Sequence, residues 1–255
     1  MGGKPIGSGI TIGGMSGNDL STFDFARGRR IAGKYEICEH LGAGWEGEVY
    51  RVLELQTGIV RAAKFFYPKR NVGNRAVRFY ARKLHKLRNC SILIRYYTQE
   101  TMRVQRVPVT CLVSDFVQGE MLSSFLARQR GKRLSPFQAV HLLHALARGI
   151  ECIHQHREYH GDLHTDNIMV CGFGLGFDLR VIDMFQWGDA TRENVHHDIV
   201  EMVRVFHEAL GGARHYARQP AEVKQICLGL KRSLILKKFR TARRLREHLE
   251  TLQWS

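Results

Sequence analysis

Two hydrophobic periods divide this chain, and their order limits the folds open to it. "YEICEHL" alternates from Tyr35, "VYRVLEL" alternates again after a glycine-rich turn, and "IVRAAKFF" follows a Thr57–Gly58 turn. That pattern predicts three short strands in an antiparallel meander. Residues 74–88, "NRAVRFYARKLHKLR", change to helical spacing, with Val77, Tyr80, Leu84 and Leu87 on one face. "SILIRYYTQ" and "VTCLVSDFV" predict two more strands. After Gly119 the period is helical. "MLSSFLARQ" predicts a short helix, and "SPFQAVHLLHALARGIECIHQH" a long one with Ser135 as N-cap and Pro136 in the first turn. Two short strands return only around 166–183, flanking "CGFGLGFD". The expected fold is α+β with two lobes. A five-stranded antiparallel sheet plus one helix spans 31–117, and a mainly helical lobe spans 118–255. Residues 1–30, rich in Gly and polar side chains, predict a flexible tail, partly docked through Phe23 and Phe25.

With 255 residues and 44% apolar composition, the chain can bury a sizeable core. No apolar run reaches the roughly 18–20 residues of a membrane span, and the N-terminus lacks the order of a signal peptide. The Met-Gly start meets Ile6 where the myristoylation pattern needs Ser or Thr. Six scattered cysteines with no Cys-x-x-Cys read as reduced thiols in a cytoplasmic protein.

Three stretches carry chemistry. "LGAGWEGEVY" (41–50) matches G-x-G-x-x-G-x-V through Gly42, Gly44, Gly47 and Val49. Glycines let backbone N–H groups approach phosphates. A strand-like segment, not a helix, follows the last glycine, which fits a flap over a nucleotide better than a dinucleotide-binding turn. An ordinary glycine-rich hairpin is the alternative. Lys64 sits between apolar neighbours in "VRAAKF". It is either an edge-strand lysine reaching solvent or a cation held beneath the flap for phosphates. "YHGDLHTDNIMV" (159–170) sets an Asp, an Asn and two His between apolar ends, as a short loop pinned at both sides would.

Together these stretches resemble the protein-kinase superfamily. The glycine loop, "RAAK", "LVSDFVQGEML", "YHGDLHTDN" and "VIDMFQ" occur in the family's order over roughly residues 35–210. "HGDLHxxN" is most similar to the aminoglycoside and choline phosphotransferase branch, and "IDMFQ" to Rio-type kinases. The resemblance implies an ATP- and Mg2+-dependent phosphotransferase acting on a hydroxyl, most simply Ser or Thr of a protein substrate. A small-molecule hydroxyl kinase and a pseudokinase acting as a docking module are its rivals. By the same resemblance, Asp162 is the catalytic base and Asn167 and Asp183 hold the metal. Lys64 clamps phosphates, and His164, where the family usually has Lys, is a candidate donor to the γ-phosphate. Ser114 is the gatekeeper and Asp115–Val117 the adenine-reading hinge. Val49, Ala62 and Met169 are the apolar plates against the base, and Asp198 ties down the catalytic loop. For His160, packing the base of the loop is the better reading.

Three departures from the family pattern stand out. The helix glutamate that should pair with Lys64 is replaced by Tyr80, with no acid between Glu54 and Glu100; either Glu46 or Glu48 of the flap substitutes, or the site is poorly preorganised. The arginine that usually precedes the catalytic aspartate is Gly161, which argues against switching by loop phosphorylation. Only 14 residues separate Asp183 from Asp198. Finally, the net charge is +15. Residues 61–95 hold eleven Lys/Arg and 231–246 hold eight, neither run containing an acid, so an acidic macromolecular partner is expected through these surfaces.

Overall fold

The computed structural model describes residues 20–174, 176–184 and 188–253. The first lobe is one antiparallel sheet in the order β1-β2-β3-β4-β6-β5. Its strands are β1 (Arg30–Ile31), β2 (Tyr35–Ala43), β3 (Gly47–Glu54), β4 (Val60–Phe66), β5 (Tyr96–Val104) and β6 (Val107–Asp115). The five expected strands are present, and the two-residue β1 is added at one edge. Alternation buries Tyr35 and Ile37 of β2 with Tyr50, Val52, Phe65 and Val113 in one core. Helix α1 (Arg75–Lys86) packs on another cluster, where Ala76, Val77 and Tyr80 meet Phe66 and Leu112.

Two segments bear on the expected pattern, one in agreement and one in departure. Of the tail foreseen at 1–30, residues 1–19 lie outside the described residues, and Phe23 and Phe25 dock into the sheet's core as their sequence suggests. Glu48 secures them: its carboxylate accepts from Phe23 N at 2.8 Å and from the Tyr67 hydroxyl at 3.2 Å. The strand read from Ser91 starts only at Tyr96. Ile92 and Leu93 enter the other lobe's core instead, and Leu93 bridges Val181. A short apolar run looks the same to periodicity whether it is a strand or a buried crossover.

The second lobe contains α2 (Leu122–Arg128), α3 (Pro136–Gln155), α4 (Arg192–Ala209), α5 (Ala213–Tyr216), α6 (Ala221–Cys227), α7 (Arg232–Lys238) and α8 (Ala242–Glu250). Ser135 caps α3 as its sequence predicts, in a reciprocal box with Gln138. The apolar faces of α3 and α4 fill the centre of the core. A small sheet, β7 (Glu120–Met121), β8 (Ile168–Phe173) and β9 (Phe177–Val181), lies beneath the junction of the lobes. No helix among the described residues is long and apolar enough to cross a membrane.

The reading of six reduced thiols is corrected at one pair. Cys90, just past α1, and Cys152, on α3, form a disulfide across a sequence separation of 62. Sequence spacing cannot reveal a pairing this distant, and the premise behind the cytoplasmic expectation does not hold for these two residues. Cys38, Cys111, Cys171 and Cys227 are free. Closing a loop of that length stabilises the fold by about 4 kcal/mol in the chain-entropy model. Titration of the denatured, unreduced protein with a thiol reagent is expected to count four reactive thiols, rising to six after reduction. Six without reductant would remove the cross-link.

Candidate active site

The strand register assembles one wall of a cleft between the lobes. Val49 pairs with Lys64, Lys64 with Leu112, and Ala62 with Ser114. Residues two apart on a strand face the same side, so these side chains share a layer. The turn between β2 and β3 forms the flap above them, closed by Gly44 N donating to Gly47 O at 2.8 Å. Two of its glycines differ physically from the third. A Cβ on Gly47 would fall 1.8 Å from the Phe65 carbonyl oxygen, so β4 itself demands glycine there. Nothing lies within 4 Å of a Cβ placed on Gly42 or Gly44, so no protein contact accounts for them.

Beneath the flap is a cavity of about 460 Å³, within the roughly 300–1,000 Å³ usual for ligand sites. Gly42, Gly44, Gly47, Val49, Ala62, Lys64, Ser114, Asp115, Val117, Met169 and Asp183 all line it. Sequence reasoning missed Leu41, Ile94, Met121 and Asp166 on the same wall. The apolar ones carry no signal beyond ordinary core residues, whereas Asp166 lay inside the "HTDN" loop.

Lys64 is the centre of charge. Its Nζ donates to Asp183 Oδ1 at 2.9 Å and lies 3.4 Å from Glu46 Oε2. The Tyr80 ring sits below it, 5.0 Å from Nζ. The flap carboxylate therefore occupies the position left by the missing helix glutamate, and of the two candidates it is Glu46. Glu48 faces the other way and holds the N-terminal segment. Glu46 is 3% exposed. Burial pushes its carboxyl above the usual range, while Lys64 and the Tyr80 hydroxyl act in the opposite direction. Burial, reinforced by the carboxylates of Glu46 and Asp183, holds the Tyr80 phenol far above its ordinary value. Asp183 has a left-handed backbone, φ 59°, a conformation that aspartate tolerates at a modest cost.

The "YHGDLHTDN" loop is fastened from below. Asp198, fully buried on α4, accepts from His160 N at 2.8 Å and Gly161 N at 2.7 Å, and meets His154 Nε2 at 2.9 Å. Burial alone would raise its carboxyl, but these hydrogen bonds outweigh that and hold it below the usual value. Gly161 adopts φ 86°, which a side chain there would oppose. His160 is fully buried; its Nε2–H donates to Ile182 O at 2.9 Å and its Nδ1 accepts from Asp162 N at 3.3 Å. Burial lowers its pKa, in keeping with a neutral ring that packs the loop.

Within the loop, Asn167 Nδ2 donates to Asp162 O at 2.9 Å and to Asp162 Oδ2 at 3.1 Å. Its amide oxygen is thereby turned away from Asp162. His164 Nε2 lies 3.7 Å from Asp162 Oδ2, with both side chains about half exposed. Asp162, His164 and Asn167 are not on the cavity wall; they form an adjoining cluster.

A family model described as "Protein kinase domain" matches residues 35–209, and the chain belongs to that family. It is 28% identical over 156 residues to myosin light chain kinase 3 of Homo sapiens, covering 60% of this chain and 18% of that protein. It is 29% identical over 181 residues to CBL-interacting protein kinase 29 of Oryza sativa subsp. japonica, covering 68% and 40% respectively. The chain thus spans less than half the length of these curated relatives. Among solved structures, the Mycobacterium tuberculosis PknI kinase domain, a C20A_R136A double mutant, superposes with a TM-score of 0.64 at 17% identity, covering 89% of this chain and 98% of that one. The two-lobed α+β kinase fold is thereby shown.

The buried neutral His160 has a pH consequence. The unfolded chain takes up a proton that the folded chain refuses, so stability falls as pH drops through the unfolded value near 6.5. It levels off below the lowered folded value. Urea midpoints measured between pH 7.5 and pH 5 are expected to decline, with a shallower slope for His160→Gln; an identical slope in the variant would exclude His160 as a contributor.

Proposed function

We propose that the chain transfers the γ-phosphate of ATP, with Mg2+, to a Ser or Thr hydroxyl of a protein. The observation that carries this reading is Lys64 held between Glu46 and Asp183 beneath the glycine flap, at the wall of a mainly apolar cavity. Val49, Ala62 and Met169 sandwich the base, and the backbone of Asp115–Val117 reads its edge past Ser114. Gly42 and Gly44 admit the phosphates against the flap, where Lys64 meets them.

The donor set fits Mg2+, a hard cation that prefers oxygen. Asp183 supplies a carboxylate and Asn167 the amide oxygen that its bonds to Asp162 leave available. When bound, the metal would neutralise charge on the phosphates. Asp162 accepts the acceptor's proton as the new oxygen–phosphorus bond forms and the bond to the bridging β-phosphate oxygen breaks. Protein catalysis here is mostly positioning and charge cancellation. His164, beside Asp162, is placed to donate to the transferred phosphoryl. The finer likeness to aminoglycoside, choline and Rio-type kinases rests on "HGDLHxxN" and "IDMFQ", of which Phe185 and Gln186 lie outside the described residues.

One observation favours a second acceptor class. Helix α4 begins at Arg192, close behind Asp183, which leaves little chain for a peptide platform. A small-molecule hydroxyl fits that economy.

Incubation with γ-labelled ATP and Mg2+ is expected to label the protein itself or an added protein substrate, with the label lost in Asp162→Ala. Label found only in a small molecule would favour the second class. Absence of both label and any thermal shift with ATP would leave a docking module. Saturating ATP, at about 100 times its Kd, is expected to add about 2.7 kcal/mol, and Asp183→Ala should abolish the Mg2+-dependent part.

The Glu46 assignment has its own expectation. Glu46→Gln keeps the shape but loses the charge on Lys64. Turnover should fall on the order of ten-fold to a hundred-fold, with the fold intact by circular dichroism. Unchanged turnover would mean that Lys64 is positioned without it.

A further inference from the structure

The first basic run does more than keep the chain soluble. On α1, Arg75, Arg78, Arg82 and Lys86 succeed one another at steps of three, four and four, so they form one stripe. The stripe borders a groove of about 360 Å³ whose wall includes Phe79, the buried Lys83, and Glu158 from the approach to the catalytic loop. Five cations face one carboxylate. That carboxylate already shows what the groove accepts: Glu158 takes a hydrogen bond from Lys86 Nζ at 2.6 Å and lies 3.9 Å from Lys83 Nζ. Lys83 Nζ is itself fixed by donating to Tyr159 O at 2.9 Å.

The second basic run behaves differently. There Arg246 is bound to Glu151 and Glu250, and Arg243 to Glu247. On α1, no ion pair among the described residues engages Arg75, Arg78 or Arg82. Arg78 donates to the Gly73 carbonyl, and Arg75 and Arg82 stand exposed. The two runs look alike in sequence, but the three arginines of the α1 stripe meet no carboxylate among the described residues, whereas Arg243 and Arg246 of α8 do.

We propose that the outer face of α1 is a docking groove for an acidic peptide segment of a protein partner. Successive cations of the stripe rise by about 4.5–6 Å along the helix. Side chains on one side of an extended peptide recur at about 6.6–6.8 Å. Carboxylates at alternate positions of such a peptide therefore keep near register along the stripe, which is about 16 Å long. The groove is one helix wide and has an aromatic wall at Phe79, suited to the methylenes of glutamate side chains. A nucleic-acid duplex would ask for a broader basic surface than this. The surface lies outside the ATP cleft and stands independently of the acceptor proposed above.

The test uses the whole chain and a fluorescein-labelled peptide of alternating Glu and Ser, followed by anisotropy at low and high salt. Saturable binding that weakens with salt is expected. The double variant Arg78→Glu/Arg82→Glu should lose about ten-fold in affinity, as two exposed attractions become repulsions. The same charge change at Arg243→Glu/Arg244→Glu on α8 should leave affinity unaltered. Transfer of label from ATP without the peptide should be equal in all three proteins. No binding, equal loss in both variants, or tighter binding of an oligothymidylate than of the peptide would overturn the proposal.

Discussion

The cleft is organised around a single lysine and the two carboxylates that hold it. Lys64 stands on a central strand, fixed in register against Val49 and Leu112. Asp183 reaches it from the second lobe, and Glu46 from the flap. An isolated lysine among apolar groups would be costly to keep charged. Paired on both sides and stacked above Tyr80, it stays where phosphates would arrive. Because one of its partners rides on the flap, lysine placement and flap position are mechanically one variable. A kinase whose lysine partner sits on the helix separates the two.

That exchange reassigns the helix. α1 contributes Tyr80 where an acid is expected, and its inner face serves packing against Phe66 and Leu112. Its outer face is left to the basic stripe. The "YHGDLHTDN" loop depends instead on α4, whose buried Asp198 collects two backbone N–H groups and a histidine. Removing such a group strands its partners. Loop geometry and lysine geometry thus come from different elements, joined across the lobes by the Lys64–Asp183 pair.

Much of this was legible in the sequence, for identifiable reasons. The glycine flap, the lysine in an apolar strand and the "HGDLHTDN" loop are local patterns whose chemistry shows within a few residues. The lack of an acid opposite Lys64 was visible too, and it narrowed the substitute to Glu46 or Glu48. Choosing between them required the turn geometry, since neighbouring residues at a flap tip can face opposite sides. The disulfide and the late start of β5 at Tyr96 depend on contacts distant in sequence. The pairing of Arg246 with Glu151 of α3 was likewise hidden, because it depends on elements distant in sequence.

The coupling between Glu46 and Lys64 is most directly measured by a double-mutant cycle on ATP affinity. Glu46→Gln, Lys64→Met and the double variant would be compared with the unaltered chain. A coupling of about 1 kcal/mol or more is predicted. Strictly additive losses would contradict the account, since the flap carboxylate and the lysine would then act on the nucleotide independently.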